Sequence, residues 1–313
     1  MDLNLPVLIV DDMHASLMEG LQRLGIAYLY EPQASREQVL ELIPQCSGLV
    51  VRSKLQVDKS LFERGTNLMF IARAGSGMDN VDEEEARSRG IVCINAPEGN
   101  RDAVGEHAIG LLLALTRHIP KAFDEVKLGF WNREANRGDE LSELTVGIIG
   151  FGNTGQAFAK KLSGFGCRIL FFDKILKNIP TPYAKPALLE EVYDQADVLS
   201  FHIPLDEENK GLINNSLIAK VARPFYLLNL SRGGIMNTID VLKGLKSGKI
   251  KAAALDVLEN EKPHTWNEEE KRMLQHMIET NRVILTPHIG GWTTASYRKI
   301  SEVLLAKIES LLS

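Results

Sequence analysis

The stretch from Thr145 to Asp173 constrains the fold of this chain more than any other. An apolar run at 146–149 leads directly into a glycine-rich sequence at 150–155, and a helix-like segment at 156–165 separates it from a second apolar run that ends at Asp173. This order predicts a strand, a tight turn, a helix and a second strand that lies parallel to the first.

The glycines of this turn have separate mechanical roles. Gly150 permits the tight turn, Gly152 lets the backbone approach a phosphate, and Gly155 lets the helix pack closely on the strand. The helix N-terminus offers N–H groups to the phosphates, and Asp173 is placed to accept hydrogen bonds from a ribose. A glycine-rich turn without a ligand leaves the acid unexplained, so the unit predicts dinucleotide binding.

The charge of Asp173 also predicts which dinucleotide binds. A carboxylate repels the 2′-phosphate of NADP and accepts a hydrogen bond from the free 2′-hydroxyl of NAD. The sequence therefore predicts a preference for NAD, which the nearby Lys174 and Lys177 could weaken.

Composition is that of a globular enzyme rather than a membrane or nucleic-acid-binding protein. The chain has 313 residues, enough for two cores, and a net charge of −5. The start at Met1 lacks the basic region of a signal peptide, and the longest apolar run, 108–115, is too short to span a bilayer. The three cysteines form no CxxC pair. We therefore expect a cytoplasmic protein without metal, membrane or nucleic-acid partners.

Apolar runs alternate with helical patterns almost throughout the chain. This alternation predicts an α/β fold of two doubly wound parallel-sheet domains, the second inserted into the first. We place the first domain at 1–99 and 290–313, with the last helix returning to it, and the inserted dinucleotide-binding domain at 100–289. The predicted strands lie at 7–10, 48–51, 70–72, 92–94, 146–149, 169–172, 198–203, 226–230, 252–255 and 283–285.

The segment between the two domains predicts an interface. A Pro/Gly loop at 95–100 is followed by a helix at 104–116 that is apolar on nearly every side, and by a polar segment at 129–141 that contains Trp131. Apolar residues on more faces than one core can cover predict a homodimer, with Trp131 as an anchor. The alternative is a helix sandwiched between the two domains of one chain.

Polar side chains follow three strands of the second domain. They are Ser231, Arg232, Asp256, Glu261 and His288. Because strand ends meet at one edge of a parallel sheet, these residues converge there. A guanidinium can clamp a carboxylate, and a histidine backed by a carboxylate can exchange a proton with an alcohol. Together with a nicotinamide cofactor, these side chains have the chemistry needed to oxidise a 2-hydroxy acid. Each of these residues alone could have a purely structural role, and only their joint placement favours a role in catalysis.

These motifs resemble the NAD-dependent D-2-hydroxyacid dehydrogenases over nearly the whole chain. The matching stretches are 150–155 with Asp173, 229–234, 256–261 and 286–291. The first domain is most similar to family members that act on 3-phospho-D-glycerate, through the stretches 51–53, 73–82 and 96–100. The resemblance implies a Rossmann NAD domain inserted into a flavodoxin-like substrate domain. It also implies a short form without the regulatory domain of longer members.

The resemblance further implies the site residues. Arg232 would clamp the substrate carboxylate, His288 would be the acid/base and Glu261 its partner. The implied cofactor contacts are Ser76, Gly150, Gly152, Asn153, Thr154, Gly155, Asp173, His202, Ile203, Pro204, Leu230, Ser231, Arg232, Asp256, His288, Gly290 and Gly291. The implied substrate contacts are Arg52, Ser53, Gly75, Ser76, Gly77, Asn100, Arg232 and His288.

The expected reaction is oxidation of 3-phospho-D-glycerate to 3-phosphohydroxypyruvate, the entry to serine synthesis. Two alternatives stay open at the level of sequence. One is reduction of glyoxylate or hydroxypyruvate, which needs no phosphate site. The other is a dinucleotide-sensing protein without catalysis, since the family includes transcriptional corepressors. Trp292, where family members often have a small residue, either narrows the pocket or packs locally.

Overall fold

Short buried strands alternate with helices to form two parallel sheets in this chain. The computed structural model describes residues 4–176 and 179–312. The described chain divides into two compact units. The first comprises 1–101 and 292–313, and the second 102–291. None of the helices in these described ranges is both long and apolar enough to cross a membrane.

The first unit is built on a five-stranded parallel sheet with the order β2-β1-β3-β4-β5, the order of flavodoxin-like folds. Its strands are β1 (Val7–Ile9), β2 (Tyr28–Tyr30), β3 (Gly48–Val51), β4 (Phe70–Arg73) and β5 (Val92–Asn95). Its first helices are α1 (Ala15–Arg23), α2 (Arg36–Leu42), α3 (Lys59–Arg64) and α4 (Glu83–Ser88). Side-chain oxygens of Ser35, Asp58 and Asp82 cap α2, α3 and α4, which fixes where these short helices begin.

The unit boundary falls within α5 (Pro97–Thr116). The second unit begins in this helix and continues with α6 (Ile119–Lys127). Its strands are β6 (Thr145–Ile149), β7 (Arg168–Phe172), β8 (Lys185–Pro186), β9 (Val198–Phe201), β10 (Phe225–Asn229), β11 (Ile250–Leu255) and β12 (Val283–Leu285). Its other helices are α7 (Asn153–Leu162), α8 (Leu189–Gln195), α9 (Asn215–Lys220), α10 (Thr238–Ser247) and α11 (Glu268–Glu279).

The seven strands of the second unit form one parallel sheet with the order β12-β11-β10-β9-β6-β7-β8. Starting from β6, the chain builds outwards on one side through β7 and β8, and then on the other side through β9 to β12. This is the doubly wound order of dinucleotide-binding folds, and the switch point lies between β6 and β9. The expected fold class of two doubly wound parallel sheets is therefore confirmed.

The last helix, α12 (Thr294–Leu312), packs in the first unit against α1. The contact is close because Gly20 of α1 has no side chain. A β-carbon at Gly20 would lie only 2.0 Å from a methyl group of Leu305. Ile300, Leu304 and Ile308 are buried in the same core. The helix α12 therefore lies in the same compact unit as α1.

The expectation for the segment around residue 100 was wrong in two respects. Residues 97–100 are not a loop: they form the first turn of α5, which Pro97 can begin because the first helical N–H has no partner in the helix. In addition, α5 does not carry the surplus apolar surface. Val104, Ala108, Leu111, Leu112 and Leu115 are all buried in a core of the second unit. The exposed apolar side chains lie instead on α6 and just after it.

Candidate active site

The glycine turn after β6 is built by close backbone approaches. Gly150 has φ +90°, and a β-carbon there would lie 2.4 Å from the carbonyl oxygen of His202. A β-carbon at Gly155 would lie 2.2 Å from the carbonyl oxygen of Gly150. Both positions therefore exclude side chains, and the turn brings the start of α7 directly beside the end of β6.

The N-terminus of α7 fits the pyrophosphate of a dinucleotide. Its N-cap is Gly152, which has no side chain to cap the helix, whereas α3 and α10 are capped by Asp58 and Asn237. The space within 4 Å of the position that a β-carbon at Gly152 would occupy is open. An uncapped helix N-terminus beside open space provides N–H donors and a positive dipole end for an anion. Asn153 and Thr154 form the first residues of this helix.

Asp173 is fixed by the backbone at the end of β7. Its carboxylate accepts hydrogen bonds from the N–H groups of Phe151 (2.7 Å), Ile175 (2.9 Å) and Leu176 (2.8 Å). Burial raises the pKa of the Asp173 carboxyl, but these three donors outweigh burial and lower it below the usual value. Lys174 is paired with Glu208 at 2.5 Å, and Lys177 lies outside the described residues. Asp173 is therefore a fixed negative charge beside the glycine turn.

The side chain of His202 contacts the glycine turn. Its Nδ1 lies 3.3 Å from the Thr154 hydroxyl and its Nε2 lies 2.8 Å from the Ser200 hydroxyl. Burial lowers the pKa of His202 to about 4, so the ring is neutral at neutral pH. Ile203 lies against Gly150, and Pro204 is exposed. His202 thus holds the turn through its ring, while the next two residues line the surface beside it.

Three adjacent strand ends deliver the polar residues of the second unit to one edge. In the register of the sheet, Asn229 of β10, Leu255 of β11 and Leu285 of β12 lie side by side. Ser231 and Arg232 follow β10, Asp256 follows β11, and the 286–290 segment follows β12. Because the strand ends are level, the sequence-predicted residues after them share one edge of the sheet.

Arg232 lies in a turn that is held by its neighbours. The Asn229 side-chain amide donates to the carbonyl oxygen of Arg232 at 3.0 Å, and Asn229 Oδ1 accepts from both the N–H and the hydroxyl of Ser231. Leu230 is buried. The next residue, Gly233, packs so closely on the carbonyl of Leu258 that a β-carbon would lie 1.8 Å from it. The Arg232 turn is therefore tied to the segment that leads to Glu261.

His288 and Glu261 form a hydrogen-bonded pair. Nδ1 of His288 lies 2.8 Å from Oε2 of Glu261, and both side chains are accessible to solvent. A carboxylate can only accept, so Nδ1 carries the proton and the other ring nitrogen, Nε2, is left with its lone pair in the neutral ring. The backbone of His288 has φ +54°, an uncommon conformation for a residue with a β-carbon.

Asp256 is buried behind this pair and holds the chain that carries His288. Its carboxylate is 1 % exposed and accepts hydrogen bonds from the Thr286 hydroxyl at 2.6 Å and from the N–H groups of Ile289 (2.9 Å) and Gly290 (2.7 Å). Burial raises the pKa of Asp256, but hydrogen bonds from His107, Thr286 and the backbone lower it below the usual value. Gly291 is the last residue of this unit.

In the first unit, Arg52 follows β3 and lies on an aromatic ring. Its guanidinium carbon is 3.9 Å from the centroid of the Trp292 ring, and its backbone N–H donates to Asp11 Oδ2 at 2.6 Å. Burial lowers the pKa of Arg52, whereas the charges of Asp11, Tyr297 and Asp12 raise it. Trp292 therefore packs locally against Arg52, and its side chain remains 64 % exposed. Ser53 is exposed beside this pair.

A glycine loop after β4 belongs to the same unit. The Ser76 hydroxyl donates to Asn100 Oδ1 at 2.6 Å, and the Asn95 amide donates to the Ser76 carbonyl oxygen at 2.6 Å. Gly75 has φ +153°, and the guanidinium of Arg73 occupies the place of its missing side chain. Gly77 is partly exposed at the tip of this loop. Two arginines, Arg52 and Arg73, thus lie at the ends of neighbouring strands.

Sequence reasoning missed two residues of these clusters, Thr286 and His107. Thr286 looked like an ordinary residue before a proline. His107 lies within an apolar helical pattern, which indicates a core position rather than a polar network. The one available signal was its side chain, since a polar residue on a buried helix usually has a hydrogen-bond partner.

Comparisons with known proteins agree with this architecture. The family model of the NAD-binding domain of the D-isomer-specific 2-hydroxyacid dehydrogenases matches residues 109–290. Hydroxypyruvate reductase of Thermotoga maritima is 38 % identical over 275 residues, which cover 87 % of each chain. D-3-Phosphoglycerate dehydrogenase of Bacillus subtilis is 38 % identical over 248 residues, or 79 % of this chain and 46 % of the relative.

A solved structure extends the likeness to the whole fold. D-Lactate dehydrogenase from Aquifex aeolicus, solved with NAD and lactic acid, matches with a TM-score of 0.81 at 22 % identity and covers 98 % of this chain and 95 % of its own. The chain spans about half the length of the phosphoglycerate dehydrogenases it resembles.

Proposed function

The chain belongs to the NAD-dependent D-2-hydroxyacid dehydrogenases, and on that premise we propose that it oxidises 3-phospho-D-glycerate to 3-phosphohydroxypyruvate, the first step of L-serine synthesis. The observation that carries a dehydrogenase reaction is the 2.8 Å contact between His288 Nδ1 and Glu261 Oε2 at a strand edge shared with Arg232. This pair supplies a base whose tautomer is fixed.

Three residues have separate roles in the proposed reaction. Neutral His288 takes the proton of the C2 hydroxyl on Nε2, and Glu261 stabilises the imidazolium that forms. Arg232 holds the substrate carboxylate with its guanidinium. Bound NAD supplies the acceptor for the hydride that leaves C2. In the reverse direction, protonated His288 returns its proton to the carbonyl oxygen.

Two features support a phosphorylated substrate. Arg52 presents a guanidinium whose face is covered by Trp292, so its hydrogen-bonding edge is the part left to meet an anion. The phosphoglycerate dehydrogenases of Bacillus subtilis and of several other organisms are among the relatives of this chain. Ser53 is the neighbouring hydroxyl proposed to share the phosphate.

A second candidate is the reduction of hydroxypyruvate or glyoxylate. It is favoured by the two carboxylates, Asp11 and Asp12, whose charges act on Arg52 and offset part of the positive potential that a phosphate needs. It is also favoured by the hydroxypyruvate reductase relative, which this chain matches over nearly its full length. These substrates carry a carboxylate for Arg232 but no phosphate for Arg52.

A substrate panel tests the proposal. NADH formation is followed with 3-phospho-D-glycerate, D-glycerate and D-lactate, and NADH consumption with 3-phosphohydroxypyruvate, hydroxypyruvate and glyoxylate. The proposal predicts the highest kcat/KM in the oxidative direction for 3-phospho-D-glycerate. A higher value for hydroxypyruvate than for 3-phosphohydroxypyruvate in the reductive direction would replace it by the second candidate.

The protein is also proposed to be a homodimer. On α6, Ile119, Phe123 and Val126 are more than half exposed and recur at the spacing of one helix face, and Leu128, Phe130 and Trp131 continue this apolar surface. Six exposed apolar side chains in one short segment are unusual for a monomer, and a second copy of the same surface would cover them symmetrically.

A further inference from the structure

We infer that His107 of α5 is a positioning residue, which fixes the segment carrying His288 through the Thr286 hydroxyl and the Asp256 carboxylate. The inference rests on the proposed role of His288 as acid and base, and it assigns a part in that reaction to a residue of α5 that the sequence analysis did not single out. His107, Thr286, Asp256 and His288 all belong to the second unit.

The hydrogen bonds around Thr286 have only one consistent direction. Thr286 Oγ1 lies 2.6 Å from Asp256 Oδ1, and a carboxylate at this distance must accept the hydroxyl proton. Nε2 of His107 lies 3.1 Å from the same Oγ1, whose proton is already committed, so Nε2–H donates to the oxygen. Nε2 is also 3.6 Å from Asp256 Oδ1. His107 is therefore a donor to the Thr286–Asp256 pair.

The same carboxylate also holds the residues that follow His288. Asp256 accepts the N–H groups of Ile289 and Gly290, and its carbonyl oxygen accepts the N–H of His288 at 2.8 Å. The left-handed backbone of His288 is a strained conformation, which persists only when its surroundings impose it. Thus the donor on His107 and the strained residue His288 are connected through one buried residue, Asp256.

The ring of His107 also packs directly against this segment. A β-carbon at Gly290 would lie 3.6 Å from Cδ2 of His107 and 2.8 Å from Asp256 Oδ2. The His107 side chain is 23 % exposed, so the ring is mostly enclosed but is not part of the apolar core formed by Ala108 and Leu111. A residue that only filled space here would have no need of a donor nitrogen.

Paired substitutions separate positioning from packing. In His107→Gln the side-chain amide keeps a donor near the place of Nε2, whereas His107→Leu keeps the bulk and removes the donor. His276→Gln, at an exposed position of α11, is the control. Because a displacement of about 1 Å at a reacting group can cost ~100-fold, we expect His107→Leu to lower kcat at least tenfold while KM for the cofactor stays close to wild type. His107→Gln should retain most of kcat.

A second readout needs no substrate. Amide hydrogen exchange of the 286–292 segment, measured in the apo protein, should become faster in His107→Leu and stay at the wild-type rate in His107→Gln and His276→Gln. An error in the proposed substrate would leave this result untouched. The inference is overturned if His107→Leu exchanges and turns over like wild type, or if Gln is as damaging as Leu.

Thr286 provides an independent test should His107→Leu fail to fold. Thr286→Val removes the hydroxyl that relays the interaction and Thr286→Ser keeps it. If His107 acts through this hydroxyl, Thr286→Val lowers kcat and speeds amide exchange of the 286–292 segment, whereas Thr286→Ser stays close to wild type in both. Equal behaviour of Thr286→Val and Thr286→Ser would contradict the relay.

Discussion

The chemistry proposed for this protein depends on which nitrogen of His288 is free. The 2.8 Å contact from Nδ1 to the Glu261 carboxylate settles the tautomer, because the carboxylate has no proton to offer. The positive φ of His288 and the hydrogen bonds from its neighbours to Asp256 then determine where Nε2 is presented. The proton-transfer role of His288 thus depends on two other side chains, those of Glu261 and Asp256.

Replacing Glu261 by Gln should move the pH profile of oxidation. The carboxylate favours the charged imidazolium, so its removal favours the neutral ring that acts as the base. We expect the acidic limb of kcat/KM for oxidation to shift to lower pH, with substrate binding largely retained. Steady-state rates across a pH series measure the shift, and Glu268→Gln on the exposed start of α11 is the control. An unchanged limb, or a shift to higher pH, would mean that the two residues are not coupled.

Asp173 should determine the choice between NAD and NADP. Its carboxylate is fixed by three backbone donors, and the nearest described lysine, Lys174, is already paired with Glu208. We expect higher kcat/KM with NAD, and a smaller difference in Asp173→Ala because NAD loses more than NADP. Asp173→Asn, which keeps part of the backbone contacts without the charge, separates charge from turn geometry. Equal efficiencies of the wild type with both cofactors would refute this prediction.

At the scale of elements, the parts that could be predicted were those with a local cause. The β6–α7–β7 unit follows from glycines that each meet a steric need, and the ends of β10, β11 and β12 follow from short apolar runs. Strands β2 and β8 were missed because both are short edge strands, which bury little and need no apolar alternation. The early start of α5 was missed because Pro97 was taken as a helix breaker rather than a first-turn residue.

Among the site residues, too, those placed by local sequence could be predicted and those placed by distant contacts could not. Glu261 and His288 could be predicted as a pair because each follows a strand of one sheet. His107 could not, because its contacts to Thr286 and Asp256 arise from residues about 150 or more positions away in the chain. Likewise, the stacking of Arg52 on Trp292 joins the two chain segments of the first unit, and no local sequence pattern indicates it.

The glycine turn makes a quantitative prediction for the stability of the second unit. Gly150→Ala combines a left-handed backbone with a clash against the carbonyl of His202, which is backbone and cannot easily move. Gly166 also has a positive φ but has nothing within 4 Å of its missing β-carbon. Denaturant unfolding should show a loss of about 1–2 kcal/mol for Gly166→Ala and a clearly larger loss for Gly150→Ala. Equal losses would show that the close approach is not rigid.

For the whole molecule, the exposed apolar surface of α6 predicts a dimer. Light scattering should give twice the chain mass of 34.8 kDa at micromolar concentration. Phe123→Glu places a charge in the centre of this surface and should give the monomer, whereas Ile278→Glu, at a similarly exposed apolar position of α11, should leave the dimer intact. A monomer mass for the unmodified protein would contradict the dimer.

The central claim, a phosphorylated substrate, is tested most directly by measuring kcat/KM of wild type and Arg52→Ala on 3-phospho-D-glycerate and D-glycerate. Charge-assisted hydrogen bonds to the phosphate are worth roughly 1.5–3 kcal/mol, so we expect Arg52→Ala to lose about ten- to a hundredfold on the phosphorylated substrate and little on D-glycerate. Arg232→Ala, the comparison variant, should lose activity on both substrates because both carry the carboxylate. Equal losses of Arg52→Ala on the two substrates would contradict the phosphate assignment and leave the family reaction without it.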